Sequence, residues 1–157
     1  MQVKKIMQRN VLSVKKGTTL SQLLDMFSKF HSFPVIPVVD NDGILAGIVH
    51  IKSFFEVFQP HNQDLLMRNP LSMVSREPTD IFDIEIEEGM GFLIIAADIM
   101  DHKVVKIKED EDIHKAYDLM QLHQRSAIPV VDEHNKLVGI VSMFQLVMEI
   151  FKEKGLV

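Results

Sequence analysis

Few side chains in this sequence stand in patterns that could do chemistry. Asp80, Asp83, Glu85, Glu87 and Glu88 gather five carboxylates in one stretch, and a hard cation such as magnesium takes oxygen ligands of that kind. Interleaved with Ile81, Ile84 and Ile86, the same acids also read as the wet face of a strand. The seven histidines show no paired metal-ligand spacing. One of them, His50, follows Gly47-Ile48-Val49 directly, and its imidazole is a side chain that can gain a charge near neutral pH. Ser142 holds the matching place after Gly139-Ile140-Val141, and its hydroxyl could cap a helix starting at Met143. No Gly-x-Ser-x-Gly, no Gly-rich phosphate loop ahead of Lys-Ser/Thr and no His-Glu-x-x-His occurs. The absence of cysteine removes disulfides, thiolate metal sites and cysteine nucleophiles. Binding, and not catalysis, is the chemistry to expect.

The elements that would position these residues are written twice. Pro37-Val38-Val39-Asp40 with Gly47-Ile48-Val49 returns as Pro129-Val130-Val131-Asp132 with Gly139-Ile140-Val141. Ile6-Met7 and Ile99-Met100 open the two copies. The offset is 93 ahead of the first hairpin and 92 from the proline onward, so copy one holds an extra residue near Phe33. Repeats at long spacing imply copies of one supersecondary unit packed together.

Copy one begins with an extended segment, Val11 to Val14, and the turn Lys15-Lys16-Gly17. Thr19, with Gln22 three residues later, forms a capping-box pattern. Leu20, Leu23, Leu24 and Phe27 then give one apolar stripe of a helix. Pro34 to Val39 and Ile44 to Val49 read as strands of a hairpin around Asn41-Asp42-Gly43, closed by a helix over about Ile51 to Phe58. In copy two, Val104 to Ile107 is the first strand, and Asp110-Glu111-Asp112 sets negative charge at a helix start. Ile113, Ala116, Tyr117 and Met120 form the stripe. Ile128 to Val131 and Lys136 to Val141 pair around Glu133-His134-Asn135. Phe144, Leu146, Val147, Ile150 and Phe151 lie on the last helix.

Between the copies, Gln59 to Thr79 reads as a loop with a helical turn near Leu65 to Arg68, and Ile81 to Glu87 as a strand. Gly89-Met90-Gly91 reads as a turn. A wholly structureless connector of that length is unusual in a compact domain, so the insert is expected to be partly ordered.

At 157 residues and 46% hydrophobic content the chain can bury a real core. A net charge of -5 argues against a general nucleic-acid binder, which needs a basic face. The longest strongly apolar run, Phe92 to Ala97, is far too short to enter and span a membrane. A cytoplasmic setting is expected.

The doubled pattern of Ile-Met, strand, helix, hydrophobic-Pro-Val-x-Asp, turn, Gly-Ile-Val and closing helix resembles the CBS domain, named after cystathionine β-synthase. Two in tandem resemble a Bateman module. The resemblance covers about Val3 to Gln59 and Ala97 to Phe151, giving repeat 1 at 1–59, an insert at 60–96, and repeat 2 with a short C-terminal tail at 97–157. It implies an α/β (α+β) fold of two β-α-β-β-α repeats packed with pseudo-two-fold symmetry. It further implies a regulatory, non-enzymatic module that binds AMP, ADP, ATP or S-adenosylmethionine in a cleft between repeats. Such modules dimerise through helices and act on an enzyme or transporter.

In ligand-binding members Gly-Ile-Val is followed by Thr or Ser and, three residues on, by Asp. Here the pairs are Ser142 with Gln145 and His50 with Ser53, so neither copy has the acid. Gln145 could still accept from a ribose hydroxyl, without charge assistance. Val35 to Pro37 and Ile128, Pro129 and Val130 would border adenine. A single asymmetric site in the second copy is therefore expected. The alternatives are a ligand-free dimerisation or docking module, with Phe54, Phe55, Phe58 and Phe151 at a helix seam, and divalent-cation sensing by the acidic insert.

Overall fold

The computed structural model describes residues 1–29, 35–54 and 89–157. Within them the elements run as a short 3-10 helix (Val3–Lys5), α1 (Leu20–Ser28), β1 (Val35–Val39), β2 (Leu45–His50), α2 (Met90–Leu93), α3 (Ala96–Ile99), β3 (Ile107–Lys108), α4 (Ile113–Leu122), β4 (Ala127–Val131), β5 (Leu137–Ser142) and α5 (Met143–Glu153). Two antiparallel hairpins, β1-β2 and β4-β5, carry the duplicated sequence, and β3 adds a parallel strand beside β4. Both hairpins have a register irregularity at the same step, Val38/Val39 and Val130/Val131.

The aspartate that ends each Pro-Val-Val-Asp explains the identical turns. Asp40 Oδ1 accepts from the backbone N–H of Asp42 and Ile44, each at 2.9 Å. Asp132 Oδ1 accepts from His134 at 2.8 Å and Lys136 at 2.9 Å. A short carboxylate that bonds its own backbone two and four residues on fixes a turn without help from the rest of the fold. The bond from Lys136, then that from His134, holds the Asp132 carboxyl below its usual range. The left-handed residue of the turn is Gly43 at φ 80° in one copy and Asn135 at φ 64° in the other, the two residue types that accept this conformation most readily.

The three longest helices start at side-chain caps. Thr19 and Gln22 form the reciprocal capping box before α1. Asp112 caps α4 by accepting from His114 N at 2.9 Å. Its other oxygen lies 2.8 Å from the terminal amine, and that bond leads the causes that hold the Asp112 carboxyl well below the usual range. Leu20 and Leu23 of α1 and Ile113, Ala116 and Met120 of α4 are buried, whereas Leu24 and Tyr117 are more than two-fifths exposed. Each buried stripe is thus narrower than the spacing suggests. The Phe27 ring meets Phe54 edge-on at 5.2 Å and 90°.

Several expected elements are shorter or different. The strand expected at Val104 to Ile107 forms only as β3, and its counterpart at Val11 to Val14 contributes one parallel bridge, Val14 to Val38. At Gly89, φ is 86°, and the expected turn leads straight into α2. Of the closing helix expected over Ile51 to Phe58, residues 51–54 are described: a turn, then the helical Ser53 and Phe54. The remainder lies outside the described residues, as do Phe55, Phe58, the loop and strand expected over 59–87, and the acidic set Asp80 to Glu88.

The two units are related by a pseudo-two-fold axis, visible in paired bridges. Gln2 to Asp112 mirrors Thr19 to Ile95, Gln8 to Ile140 mirrors Ile48 to Asp101, and Ile44 to Lys136 joins the two hairpin turns at the axis itself. Each unit's opening segment crosses to the other unit. Val3 and Met7 are buried with Ile107, Met120, Val141 and Leu146. Ala96, Ile99 and Met100 are buried with Leu20, Leu23, Val38 and Val49. A third cluster, Val35, Ile48, Ala127 and Ile140, seals the two hairpins together. Fully burying one such Leu or Ile is worth about 1.5–3 kcal/mol, so the crossing arms contribute substantially to holding the units together.

The glycines of both Gly-Ile-Val motifs are the seats for these arms. A Cβ on Gly139 would lie 2.8 Å from Gln8 O and 2.9 Å from Met7 Sδ. One on Gly47 would lie 2.5 Å from Met100 Sδ and 3.1 Å from Asp101 O. Backbone can approach this closely only where no side chain stands.

Candidate functional site

The residues singled out in the sequence fall into two environments. Ser142 ends β5, is 4% exposed, and caps α5. Its Oγ accepts from Gln145 N at 3.3 Å and donates to Gln145 Oε1 at 3.1 Å, while Gln145 Oε1 also accepts from Ser142 N at 2.8 Å. Ser and Gln at this spacing form a capping box, the pattern of Thr19 and Gln22 again. The amide oxygen that the resemblance would offer to a ribose is thus already engaged at the helix start. Ser53, in copy one, is also buried. Ile128, Pro129 and Val130 are buried in β4, with Ile128 and Val130 packed among Ala116, Met120 and Leu146.

His50 lies elsewhere. It ends β2, opposite Val35, and lines a cavity of about 190 Å³ between the two units. Lys52 and Val35 border the cavity from the first unit, and Gln124, Arg125 and Ala127 from the second. A narrow recess shares His50, Arg125 and Ala127 and reaches Asp101 and Ile128. Of the residues picked from the sequence, the described cleft therefore brings together Val35, His50 and Ile128.

Arg125 reaches the cleft through the end of α4. Gln124 adopts φ 52°, and Arg125 N donates to Met120 O at 2.8 Å, the six-to-one bond of a left-handed helix termination. That bond sets where the chain leaves the helix, and only Ser126 then separates Arg125 from the strand. Asp101 comes from the crossing arm: its N donates to Ile48 O at 2.8 Å and its O accepts from Ile48 N at 3.1 Å. Arg125 Nη2 and Asp101 Oδ2 are 3.5 Å apart, with side chains 25% and 37% exposed. Asp101 Oδ1 accepts from Lys103 N at 2.9 Å. The described lining thus carries two fixed cations, Lys52 and Arg125, one carboxylate and one imidazole. A partly enclosed surplus of positive charge suits an anionic group, and Arg presents a planar fork of donors to it.

Arg125, Lys52 and Asp101 are the residues that sequence reading passes over. The signal for Arg125 is the step before Ser126-Ala127, where copy two is basic and copy one has Phe33. Nothing local marks Asp101, since its place depends on the arm crossing over.

Family membership agrees with the doubled architecture. The CBS domain matches twice, at residues 3–59 and 96–152. The chain belongs to the CBS domain family. Among curated relatives, an uncharacterized protein of Methanocaldococcus jannaschii is 29% identical over 158 residues, covering 94% of this chain and 89% of its own. Solved CBS structures share the fold. CBSX2 in complex with AMP superposes with a TM-score of 0.71 at 18% identity, over 98% of both chains. The CBS domain pair of protein MJ0100, in complex with 5'-methylthioadenosine and S-adenosyl-L-methionine, superposes at 0.65 and 19%, again over 98% of both. The tandem arrangement is that of a Bateman module. No helix among the described residues is long and apolar enough to cross a membrane.

Proposed function

We propose that this chain is a non-enzymatic, cytoplasmic regulatory module that senses an adenine nucleotide or adenosyl ligand in the cleft between its repeats. The observation that carries this reading is the convergence of His50, Lys52 and Arg125 on one inter-repeat cavity. The CBS pairs solved with AMP and with S-adenosyl-L-methionine support the ligand class. At about 190 Å³ the cavity is smaller than the roughly 300–1,000 Å³ of ordinary ligand pockets. A whole nucleotide therefore reaches past the described cavity, and in this reading it favours a wider arrangement of the two units. A ligand that prefers the wider arrangement transmits its presence by that preference alone. The regulated partner is an enzyme or transporter, the class that the family resemblance implies.

Ser142 and Gln145 are proposed as the second contact position, at a cost: a ribose there must displace a hydrogen bond of the capping box. Ser142→Ala and Gln145→Ala test it, since unchanged affinity in both moves the ligand elsewhere.

Isothermal titration calorimetry against AMP, ADP, ATP and S-adenosylmethionine tests the main reading, with binding expected at micromolar to millimolar ligand. No heat and no thermal shift at millimolar concentration rejects it and leaves the second reading, a dimerisation module. The outer face of α5 favours that alternative: Phe144 is 73% exposed, and Val147, Ile150 and Phe151 are 36–43% exposed. A homodimer through the closing helices would cover them. A light-scattering mass of one chain at micromolar concentration would sink the dimer.

A further inference from the structure

Arg125 does not face the cleft as an uncommitted cation. Its guanidinium sits 3.5 Å from Asp101 Oδ2, and both side chains retain partial exposure. Their backbones are held independently, Arg125 by the end of α4 and Asp101 by its pair of bonds to Ile48 in the first unit. Both residues border the recess that opens beside His50. The carboxylate is thus fixed by one unit's strand while the cation is fixed by the other unit's helix end. Any anion that enters to meet Arg125 meets the Asp101 charge as well.

The geometry points to Asp101 as a specificity-determining residue that competes with the ligand's anionic group for Arg125. This rests on the proposed nucleotide cleft and goes beyond it. The native site discriminates against weak anions, because a ligand must outbid a carboxylate already in place. A ligand bearing more than one negative charge does so best, since attraction to the site grows with the ligand's charge. A neutral nucleoside gains nothing from Arg125 and is blind to Asp101. Asp101 touches the ligand's partner and not the ligand, so it acts by occupying the site's cation.

The test is calorimetry with AMP and adenosine on the native chain and on Asp101→Asn, Arg125→Gln and the double variant. Asn keeps an oxygen for the Lys103 N–H bond. Asp101→Asn is expected to tighten AMP by about three- to tenfold, the scale of one partly screened charge, and to leave adenosine unchanged. Arg125→Gln is expected to weaken AMP and to reduce the Asp101→Asn effect to less than about twofold, as a shared contact requires. If AMP binds the native chain but Asp101→Asn leaves it unchanged or weaker, the competitor role is overturned and the nucleotide reading stands. Equal tightening of AMP and adenosine also overturns it, since that would report a looser cleft. If neither compound binds any of the four proteins, the nucleotide reading fails and takes this role with it. Should Asp101→Asn lose its cooperative thermal transition, Asp101→Ser supplies a second acceptor at the same place for the same comparison.

Discussion

Ser142 shows how one side chain can satisfy two readings of a sequence. After Gly-Ile-Val it stands where a ligand-contacting hydroxyl is expected, and it is also the preferred residue type for a helix cap. The structure gives it the cap, with Gln145 completing the reciprocal pair. Ser142→Ala is expected to cost about 1 kcal/mol, seen as a lower urea midpoint at unchanged slope. AMP affinity measured on the same variant separates the roles, because a purely capping hydroxyl leaves it unchanged. The Thr19 and Gln22 box was legible because no competing role hid it. At Ser142 the cap was legible from residue type, and the structure adds Gln145 as its reciprocal partner. Arg125 was not legible from type alone: its relevance comes from a left-handed residue ahead of it, which local sequence does not announce at a glutamine.

At the scale of elements, the hairpins were the most legible part of the chain. Asp40 and Asp132 each hold a turn through two backbone N–H bonds, so the local sequence carries nearly all the information needed. The single parallel strand was less so, since β3 is two residues long and its extent depends on β4. The second turn carries a pH signature. The Asp132 carboxyl is held below its usual value in the folded chain, so the unfolded chain binds a proton more readily. Its stabilising contribution is therefore complete above about pH 4 and fades as pH falls further through the folded value. Asp132→Asn, which keeps an acceptor but cannot ionise, is expected to lose less stability than the native chain between pH 5 and about pH 3. Paired urea titrations at those values check this, and equal losses would remove Asp132 from the acid response.

For the whole molecule, the exchanged arms decide most of the behaviour, and they were the least legible feature. The glycines of Gly-Ile-Val look like strand residues in sequence; what demands them is backbone arriving from the other unit. Gly139→Ala is expected to destabilise by about 1–3 kcal/mol, because the new Cβ meets the Gln8 carbonyl at 2.8 Å. Gly47→Ala is expected to cost less, since its nearest obstacle is the flexible Met100 side chain. Thermal melts of both variants check the order, and the reverse order would mean that the segment around Gln8 can shift freely. Separated halves, 1–59 and 90–157, are expected to lack a cooperative melt individually and to regain one when mixed. The outer face of α5 shows the same dependence on context: its apolar spacing is plain in sequence, but which part of it faces the core is set by the hairpin underneath.

The reciprocal arms also say something about how such a chain could arise. A lone unit would carry an arm with no seat of its own and a glycine seat with no arm. Two identical copies could satisfy each other by trading arms across a symmetry axis, in the manner of domain swapping. Joining them end to end would leave every contact in place while converting a concentration-dependent pair into one chain. The two halves are then free to diverge, as the Gly43 and Asn135 turns and the His50 and Ser142 positions have done. In that light the fold is a fused partnership, and its asymmetry is what fusion permits.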